Sequence, residues 1–424
     1  MTADKPPPFV PKLRFPEFRD APDWEEVSLG TLLVRAPDYG VNAAAVPFSE
    51  TLPTYIRITD INDDGQFAPY PRVSVDIDAP DEKYLTDGDI VLARTGASVG
   101  KSYRYREEDG PLVYAGFLIR VKPNPERLLS QFLAAYLSTW NYWDWVRFTS
   151  ARSGQPGINA TEYASIPLPL PPDRRILAEQ KRIADCLTSL DSLIAAEGRK
   201  LETLRQHRQG LMQQLFPQPG ETVPRLRFPE FRDAEEWSTP RGDTLFDSIN
   251  NRSAAPGLPV LAITQEHGAI PRDQIDYHVA VTAKSVASYK EVCEGDFIIS
   301  LRSFQGGIEH SRYHGVCSPA YVILRRKGGG IDHFFRHLFK SERFIQQLTR
   351  NIEGIRDGKM ITYAQFSEQL MPVPQPPEQQ CVTTCLSSLE DVLAAQARKI
   401  DALKTHKQGL LQQLFPVWRR NDNH

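Results

Sequence analysis

The chain repeats itself, and the repeat constrains the fold more tightly than any local feature. Residues 13–20 read LRFPEFRD and residues 226–233 read LRFPEFRD again, with Trp24 and Trp237 following at the same offset of 213. A second pair of blocks, 179–217 and 378–416, agrees at 20 of 39 positions at a constant offset of 199. Each is preceded by a proline run, Ile166 to Pro172 and Met371 to Pro377, and the first copy carries six extra residues, Asp173 to Ala178. Between these blocks only islands agree: Asp87 to Arg94 resembles Glu294 to Arg302, and Phe117 to Arg120 answers Tyr321 to Leu324. A frame kept twice around dissimilar interiors is the pattern expected of two readers of different targets. Unequal drift of the two copies is the competing explanation.

The blocks at 179–216 and 378–415 predict long helices. In the first, Ile183, Leu187, Leu190, Ile194, Leu201, Leu204, Leu211 and Leu215 fall on alternating steps of four and three, with Glu197 and Arg208 at the remaining seam positions. In the second, Val382, Leu386, Leu389, Leu393, Ile400, Leu403, Leu410 and Leu414 repeat that register, broken at Gln396 and Lys407. So narrow a stripe, held over several heptads, suits a partner helix better than a globular core. Two copies of one seam imply that the helices, each about 54 Å long, pack on each other. An antiparallel arrangement gives an approximate two-fold axis. The alternative buries each helix in its own domain.

Thr54 to Thr59, Ile90 to Ala93, Val113-Tyr114 and Phe117 to Val121 are short apolar or β-branched runs that predict strands. Arg127 to Phe148 and Asp332 to Leu348 predict amphipathic helices. No regular strand–helix alternation is present, which argues against a doubly wound sheet. The expected class is α+β: two mixed α/β domains, 1–178 and 224–377, separated by a long antiparallel two-helix coiled coil. Its helices are 179–216 and 378–416, and 217–223 is a linker.

The 424 residues suit two or three domains, and 41% hydrophobic with 24% charged residues is a globular composition. A formal charge of −3 excludes a protein that holds nucleic acid by bulk charge, but not one with local basic patches. Five cysteines without a CxxC pair support neither a disulfide framework nor a zinc ribbon. No signal core or 18-residue apolar run is present, so a cytoplasmic chain is expected, and the sequons at Asn159 and Asn251 read as chance.

Gly96 to Ser102 has three residues between its first glycine and Gly100-Lys101 where a phosphate loop needs four. The strand-like Tyr103-Arg-Tyr-Arg106 follows, so a structural turn is expected. His333 and His337 have metal spacing but lack an activating glutamate and an evident third ligand; a solvent-facing pair is expected and no metal. Cys381 and Cys385 sit one helical turn apart, but the first helix has only Cys186. No nucleophile elbow, amino-methyltransferase tetrad or dinucleotide fingerprint is present, so no catalytic residue is assigned. The aromatic run Trp140 to Trp145 reads as helix core, with base stacking as the lesser alternative.

Basic clusters remain. Residues 94–106 carry Arg94, Lys101, Arg104 and Arg106 with no acid, interleaved with Tyr103 and Tyr105. The matching part of the second copy carries Arg302, Arg312, Arg325, Arg326 and Lys327, with Gln305, His310 and His314 among them and one acid, Glu309. Arg and Gln pair bidentately with guanine and adenine edges, while Lys and Tyr position phosphates. A solvated charged hairpin is the bland alternative, and recurrence at the matching place in both copies weighs against it. With Arg57 on the strand at 54–59, the candidate DNA contacts are Arg57, Arg94, Lys101, Tyr103, Arg104, Arg106, Arg302, Gln305, Arg312, Arg325 and Arg326.

The proline run Pro169 to Pro172, the helix start Glu179 to Asp185, its continuation through Lys200-Leu201 and its end Gly210 to Phe216 resemble the specificity subunits of type I restriction–modification systems. So do Pro11-Lys-Leu-Arg-Phe-Pro-Glu-Phe18 and the Asp87–Lys101 stretch, and the resemblance spans nearly the whole chain. It implies two target-recognition domains, each reading half of a split double-stranded DNA sequence. It also implies a central helix pair that acts as ruler and docks two methyltransferase subunits, in a phage-defence complex. This chain would hold no cofactor. S-adenosylmethionine and adenine-N6 methylation belong to the modification subunits, and ATP with Mg and the nuclease to restriction subunits. The second helix departs from the pattern, with Gln380-Cys-Val-Thr-Thr384 in place of Lys181-Arg-Ile-Ala-Asp185, which leaves the equivalence of the two docking sites open. Rival readings are a methyltransferase-only system, a coiled-coil adaptor without DNA readout, and an enzyme such as an NTPase using Lys101.

Overall fold

The computed structural model describes residues 9–78, 81–151, 155–172, 176–252, 257–265, 267–275, 288–301, 303–328, 332–350 and 361–417. The chain divides into two units: Met1–Gly198 with Arg398–His424, and Arg199–Ala397. Two long helices, Ile176–Leu215 and Pro376–Leu414, each contribute to both.

In the first unit, a four-stranded antiparallel sheet has the order Asp38–Tyr39, Leu118–Val121, Ile90–Ala93, Ser102–Arg104. Alternation along its central strands serves two cores. Ile90, Leu92, Ile119 and Val121 face Phe132, Tyr136, Tyr142 and the long helices, whereas Val91, Ala93 and Leu118 face Tyr103, Leu112 and Tyr114. A second four-stranded sheet contains one parallel pair, Thr54–Ile56 with Leu112–Tyr114. The proline run becomes an edge strand, Pro167–Leu170, paired with Glu25–Ser28, which is where prolines are tolerated in a sheet.

The second unit repeats the principal sheet in the order Phe246–Ile249, Val322–Arg326, Phe297–Ile299, Glu309–His310. Its core is a phenylalanine cluster that includes Phe246, Phe297, Phe335, Phe339 and Phe366. The register places Leu324 opposite Phe297 where Val121 lies opposite Ile90. The match expected between Phe117–Arg120 and Tyr321–Leu324 is therefore shifted by one residue, and Arg325 is the counterpart of Lys122.

The duplicated blocks converge in each unit. In the first, Leu13 donates its amide to Gln413 at 2.9 Å, and Arg14 forms a bidentate pair with Glu179 at 2.8 and 2.9 Å. Trp24 and Phe132 pack on Phe415. In the second, Leu226 donates to Gln214 at 3.0 Å, Arg227 holds Glu378 with two 2.8 Å bonds, and Trp237 and Phe334 pack on Phe216.

The helix halves inside each unit run antiparallel. Asp191 meets Lys407 and Glu197 meets Lys399 in the first, and Arg208 meets Glu390 in the second, so rising numbers face falling ones. Every seam residue named above is buried or half-buried. Three of the four polar seam positions are ion-paired across the seam, and the fourth, Gln396, is buried. The fold is α+β, with two mixed α/β units on a long antiparallel helix pair.

Two expected elements are broken. Arg127–Phe148 is two helices, Ser130–Tyr136 and Trp140–Thr149, because the Thr139 hydroxyl accepts the Tyr142 amide and caps a new start. Asp332–Leu348 likewise divides into Asp332–Leu338 and Glu342–Arg350, with the Ser341 hydroxyl accepting from Phe344. The strand expected at 54–59 stops at Ile56, where Arg57 and Asp60 cap a 3-10 turn at Ile58–Asp60.

The closing pair Arg14–Glu179 is 8% and 1% exposed. Removing one partner of such a pair strands a buried charge and costs about 3–5 kcal/mol. Arg14→Ala and Glu179→Gln should each lose stability in that range in urea unfolding, while the double variant loses less than the sum. Simple additivity would show that the two do not act as a pair.

Candidate nucleic-acid interface

The cations of the first unit cluster on the hairpin Ile90–Ala93/Ser102–Arg104. Its turn uses Gly96 and Gly100 at positive φ, and its amides point inward: Val99 to Gly96, Gly100 to Ala93 and Lys101 to Ser98. The turn is thus structural and offers no amide cradle for phosphate.

Interaction magnitudes separate the candidate residues. Lys101 reaches Asp63 at 2.6 Å, Arg104 lies 4.0 Å from Asp87, and Arg106 lies 3.2 Å from Glu108. Those acids are 94%, 75% and 71% exposed. Exposed pairs are worth little, so for Lys101 and Arg104 a phosphate can replace the carboxylate at little cost, whereas Arg106 is also held at 3.2 Å by Asp109, which is only 14% exposed. Lys101 holds the Asp63 carboxyl below its ordinary range, chiefly through the direct hydrogen bond.

Arg57 is different, because it grips the buried Asp60 with bonds of 2.9 and 2.7 Å. Arg325 does the same to buried Asp296 with two 2.8 Å bonds, which raise its affinity for protons further. Both side chains are committed to the fold. Tyr103 requires a correction: it is fully buried and donates to Asp109 at 2.7 Å, so it offers no surface to DNA in this conformation. Burial, then the Asp109 bond, pushes its phenol well above its ordinary range.

The guanidinium of Arg94 lies 4.9 Å over the Tyr39 ring, and that of Arg326 lies 4.8 Å over Phe335. Gln305 and Arg312 are exposed. Arg302 lies outside the described residues. The structure therefore brings Lys101, Arg104 and Arg106 together on one hairpin, leaves Gln305 and Arg312 on the surface of the second unit, and ties Arg57 and Arg325 to buried aspartates.

The aromatic run expected mainly as helix core presents an exposed face instead. Trp140, Trp143 and Phe148 are 71%, 40% and 73% exposed on helix Trp140–Thr149, while Tyr142 takes the core position. The Trp143 ring lies against Gly100 of the hairpin turn. Spacings of three and eight residues put the three aromatics on one face, a signal present in the sequence but masked by reading the run as core. The matching helix of the second unit carries Glu342, Ile345 and Arg350 there.

The solvent-facing histidine pair also needs correction. His337 is buried, with Nε2 3.2 Å from the Ser387 hydroxyl and Nδ1 3.6 Å from Glu390, while His333 is exposed and faces His310. Burial lowers the pKa of His337 to about 4, and that of His310 to about 4 with help from His333, Arg336 and Arg312. Among the described residues, one group of three metal-competent side chains comes together, Glu291, Cys293 and His314. No described helix is long and apolar enough to cross a membrane.

Fold and surface define a class: two α+β domains duplicated on an antiparallel helix pair, with cations at matched places and no catalytic constellation among the described residues. Comparisons with known proteins agree. The type I restriction modification DNA specificity domain matches residues 23–206. Two relatives come from Methanocaldococcus jannaschii. The type I restriction enzyme MjaVIII specificity subunit is 22% identical over 429 residues, 95% of this chain and 93% of that one. The putative type I restriction enzyme MjaX specificity subunit is 22% identical over 346 residues, 78% of each chain. In fold, the chain is similar to the S subunit of a type I restriction–modification system from M. genitalium, at TM-score 0.56, 13% identity, and 97% and 100% coverage. It is also similar to a chain from a study of complex assembly and conformational transition of the type I R-M system, at TM-score 0.55, 17% identity, and 93% and 97% coverage. Residues 23–206 thus match the DNA specificity domain of type I restriction–modification systems, and over nearly its whole length the chain is similar to specificity subunits of those systems.

The buried His337 gives a pH prediction. Its pKa is about 4 folded against 6.5 ordinarily, so the unfolded chain takes up the proton first as pH falls. Stability is full above pH 6.5 and is lost on descent toward 4. Between pH 7 and pH 5 this group should remove about 2 kcal/mol, and urea unfolding of His337→Asn should show a correspondingly shallower loss. Equal slopes for variant and wild type would mean that His337 does not carry the effect.

Proposed function

We propose that this chain sets the DNA sequence methylated by a type I complex, each repeat reading one half of a bipartite target. The observation that carries the reading is the double closure of one frame around two dissimilar interiors. Residues 1–178 and 224–377 are the two recognition domains, joined by 179–216 and the linker 217–223. Helices 179–216 and 378–416 set the spacing and dock two methyltransferase subunits. Those partners supply S-adenosylmethionine and adenine-N6 chemistry, and restriction subunits supply ATP-dependent cleavage where they are present.

Charge supports a division of labour. A net −3 gives the chain little non-specific grip on DNA, so partner subunits provide much of the phosphate attraction. Its own surface supplies phosphate contacts through Lys101, Arg104 and Arg106 in one repeat and discrimination through Gln305, Arg312 and Arg326 in the other. Arg94 and Arg302 remain candidates for direct base contact.

Co-expression with methyltransferase subunits, followed by mapping of methylated adenines, should return two fixed half-sites separated by a constant spacer. Methylation without sequence preference would overturn the proposal. Inserting one heptad in both long helices, about 10 Å, should lengthen the spacer by about three base pairs, and an unchanged spacer in an active variant would refute the ruler. Arg312→Ala should relax one half-site by about 1–3 kcal/mol if a base contact is lost, while Lys101→Ala should weaken all sequences alike if it binds phosphate. Binding isotherms on matched and mismatched duplexes separate the two behaviours.

A further inference from the structure

In the second unit, strand Lys290–Val292 runs antiparallel to Gly315–Cys317, with Val292 opposite Gly315. One step further along that register, Cys293 stands opposite His314. Strand alternation puts Glu291 on the same face as Cys293. A carboxylate oxygen, a thiol sulfur and an imidazole nitrogen, one from each residue, lie within 4.8 Å of one another. His314 Nε2 is already 2.7 Å from Glu291 Oε1, and Asn251 donates to the other carboxylate oxygen. That second bond fixes the carboxylate plane, as partners of metal-binding carboxylates do.

The first unit shows that the frame does not require these side chains. Tyr84 bridges Val113 there as Glu291 pairs with Val316. Tyr84, Thr86 and Pro111 thus occupy the places of Glu291, Cys293 and His314. Tyr84 and Thr86 line a cavity of about 300 Å³ with Lys122, the counterpart of Arg325. At the matching strand end the second repeat carries three ligand types where the first carries none of them.

We propose that Glu291, Cys293 and His314 form a Zn²⁺ site in the second repeat, with water as the fourth ligand. Sulfur, nitrogen and oxygen donors at about 2.0–2.3 Å from a tetrahedral ion suit zinc, and a thiolate disfavours magnesium or calcium. On binding, the S–H bond of Cys293 breaks, sulfur bonds to the ion, and the proton leaves to solvent. The His314–Glu291 hydrogen bond is replaced by two bonds to the metal, the proton leaving Nε2 as Nδ1 takes one up from solvent. The ion ties two strands together two residues from Arg312, so it also stiffens and charges the surface proposed to read DNA.

The test uses the full chain, stripped with chelator and then titrated with Zn²⁺ against a chromophoric competitor, and separately with Co²⁺. Wild type should take up one equivalent, and Co²⁺ should give thiolate charge-transfer absorption with the visible bands of a tetrahedral site. Cys293→Ser should abolish the charge-transfer band, and His314→Ala and Glu291→Gln should lose the equivalent. Circular dichroism of each metal-free variant should match metal-free wild type; a variant that does not is set aside and the other two decide. Failure of wild type to bind would overturn the proposal, and so would one equivalent retained in the folded variants, which would place the zinc elsewhere, such as at Cys381 and Cys385. DNA specificity is not the readout, so the result stands apart from the function proposed above.

Discussion

The structure depends on a buried ion pair made twice. Arg14 on Glu179 and Arg227 on Glu378 join the start of each repeat to the start of its own long helix. Neither charge can be left alone at such burial, so each arginine selects one docking position for the segment that carries it. That segment then presents Leu13 or Leu226 to the end of the helix encoded by the other repeat, where Phe415 or Phe216 completes the aromatic core. Each unit is therefore closed by both copies of the duplication. The identical octapeptides and the matching Gln-Gln-Leu-Phe-Pro ends meet in space, which explains why they are the parts that match.

The helix pair follows from the same arrangement. Its hydrophobic seam is shallow, and polar residues interrupt it at four places. Asp191–Lys407, Glu197–Lys399 and Arg208–Glu390 answer three of those interruptions with opposite charges. Exposed pairs add little stability. Their value is in register, because sliding either helix by one turn would set the charges against apolar seam residues. In the second unit Arg336 and His337 also reach Glu390, which ties a helix of the recognition domain to that register.

Much of this was legible in the residues. The seam residues, the antiparallel partnership and the structural character of the Gly96–Gly100 turn follow from periodicity and spacing, because those are properties of local backbone geometry. The helix breaks at Thr139 and Ser341 did not follow, since a capping hydroxyl in mid-helix and a solvent-facing hydroxyl look alike in sequence. Nor did the burial of Tyr103 and His337, which depends on what a sheet or helix packs against. The basic residues illustrate the same boundary. Arg57, Lys101 and Arg325 are indistinguishable as cations, and only the exposure of Asp60, Asp63 and Asp296 separates a side chain locked into the fold from one that can exchange its partner for phosphate.

The differences between the units then acquire a physical meaning. A frame closed by buried charge and aromatic packing tolerates single changes most readily where side chains leave it, at strand ends and on outer helix faces. Those are the places where the repeats diverge: Trp140, Trp143 and Phe148 stand where Glu342, Ile345 and Arg350 stand, and Tyr84, Thr86 and Pro111 where Glu291, Cys293 and His314 stand. Core positions change only as a repacked set, as where Ile90 opposite Val121 becomes Phe297 opposite Leu324, because altering packed volume at one site costs stability directly. Surface chemistry at the rim can be exchanged without disturbing the closure, so one duplicated scaffold can present two unrelated recognition surfaces. The Arg–Glu pairs hold the frame while the rim changes.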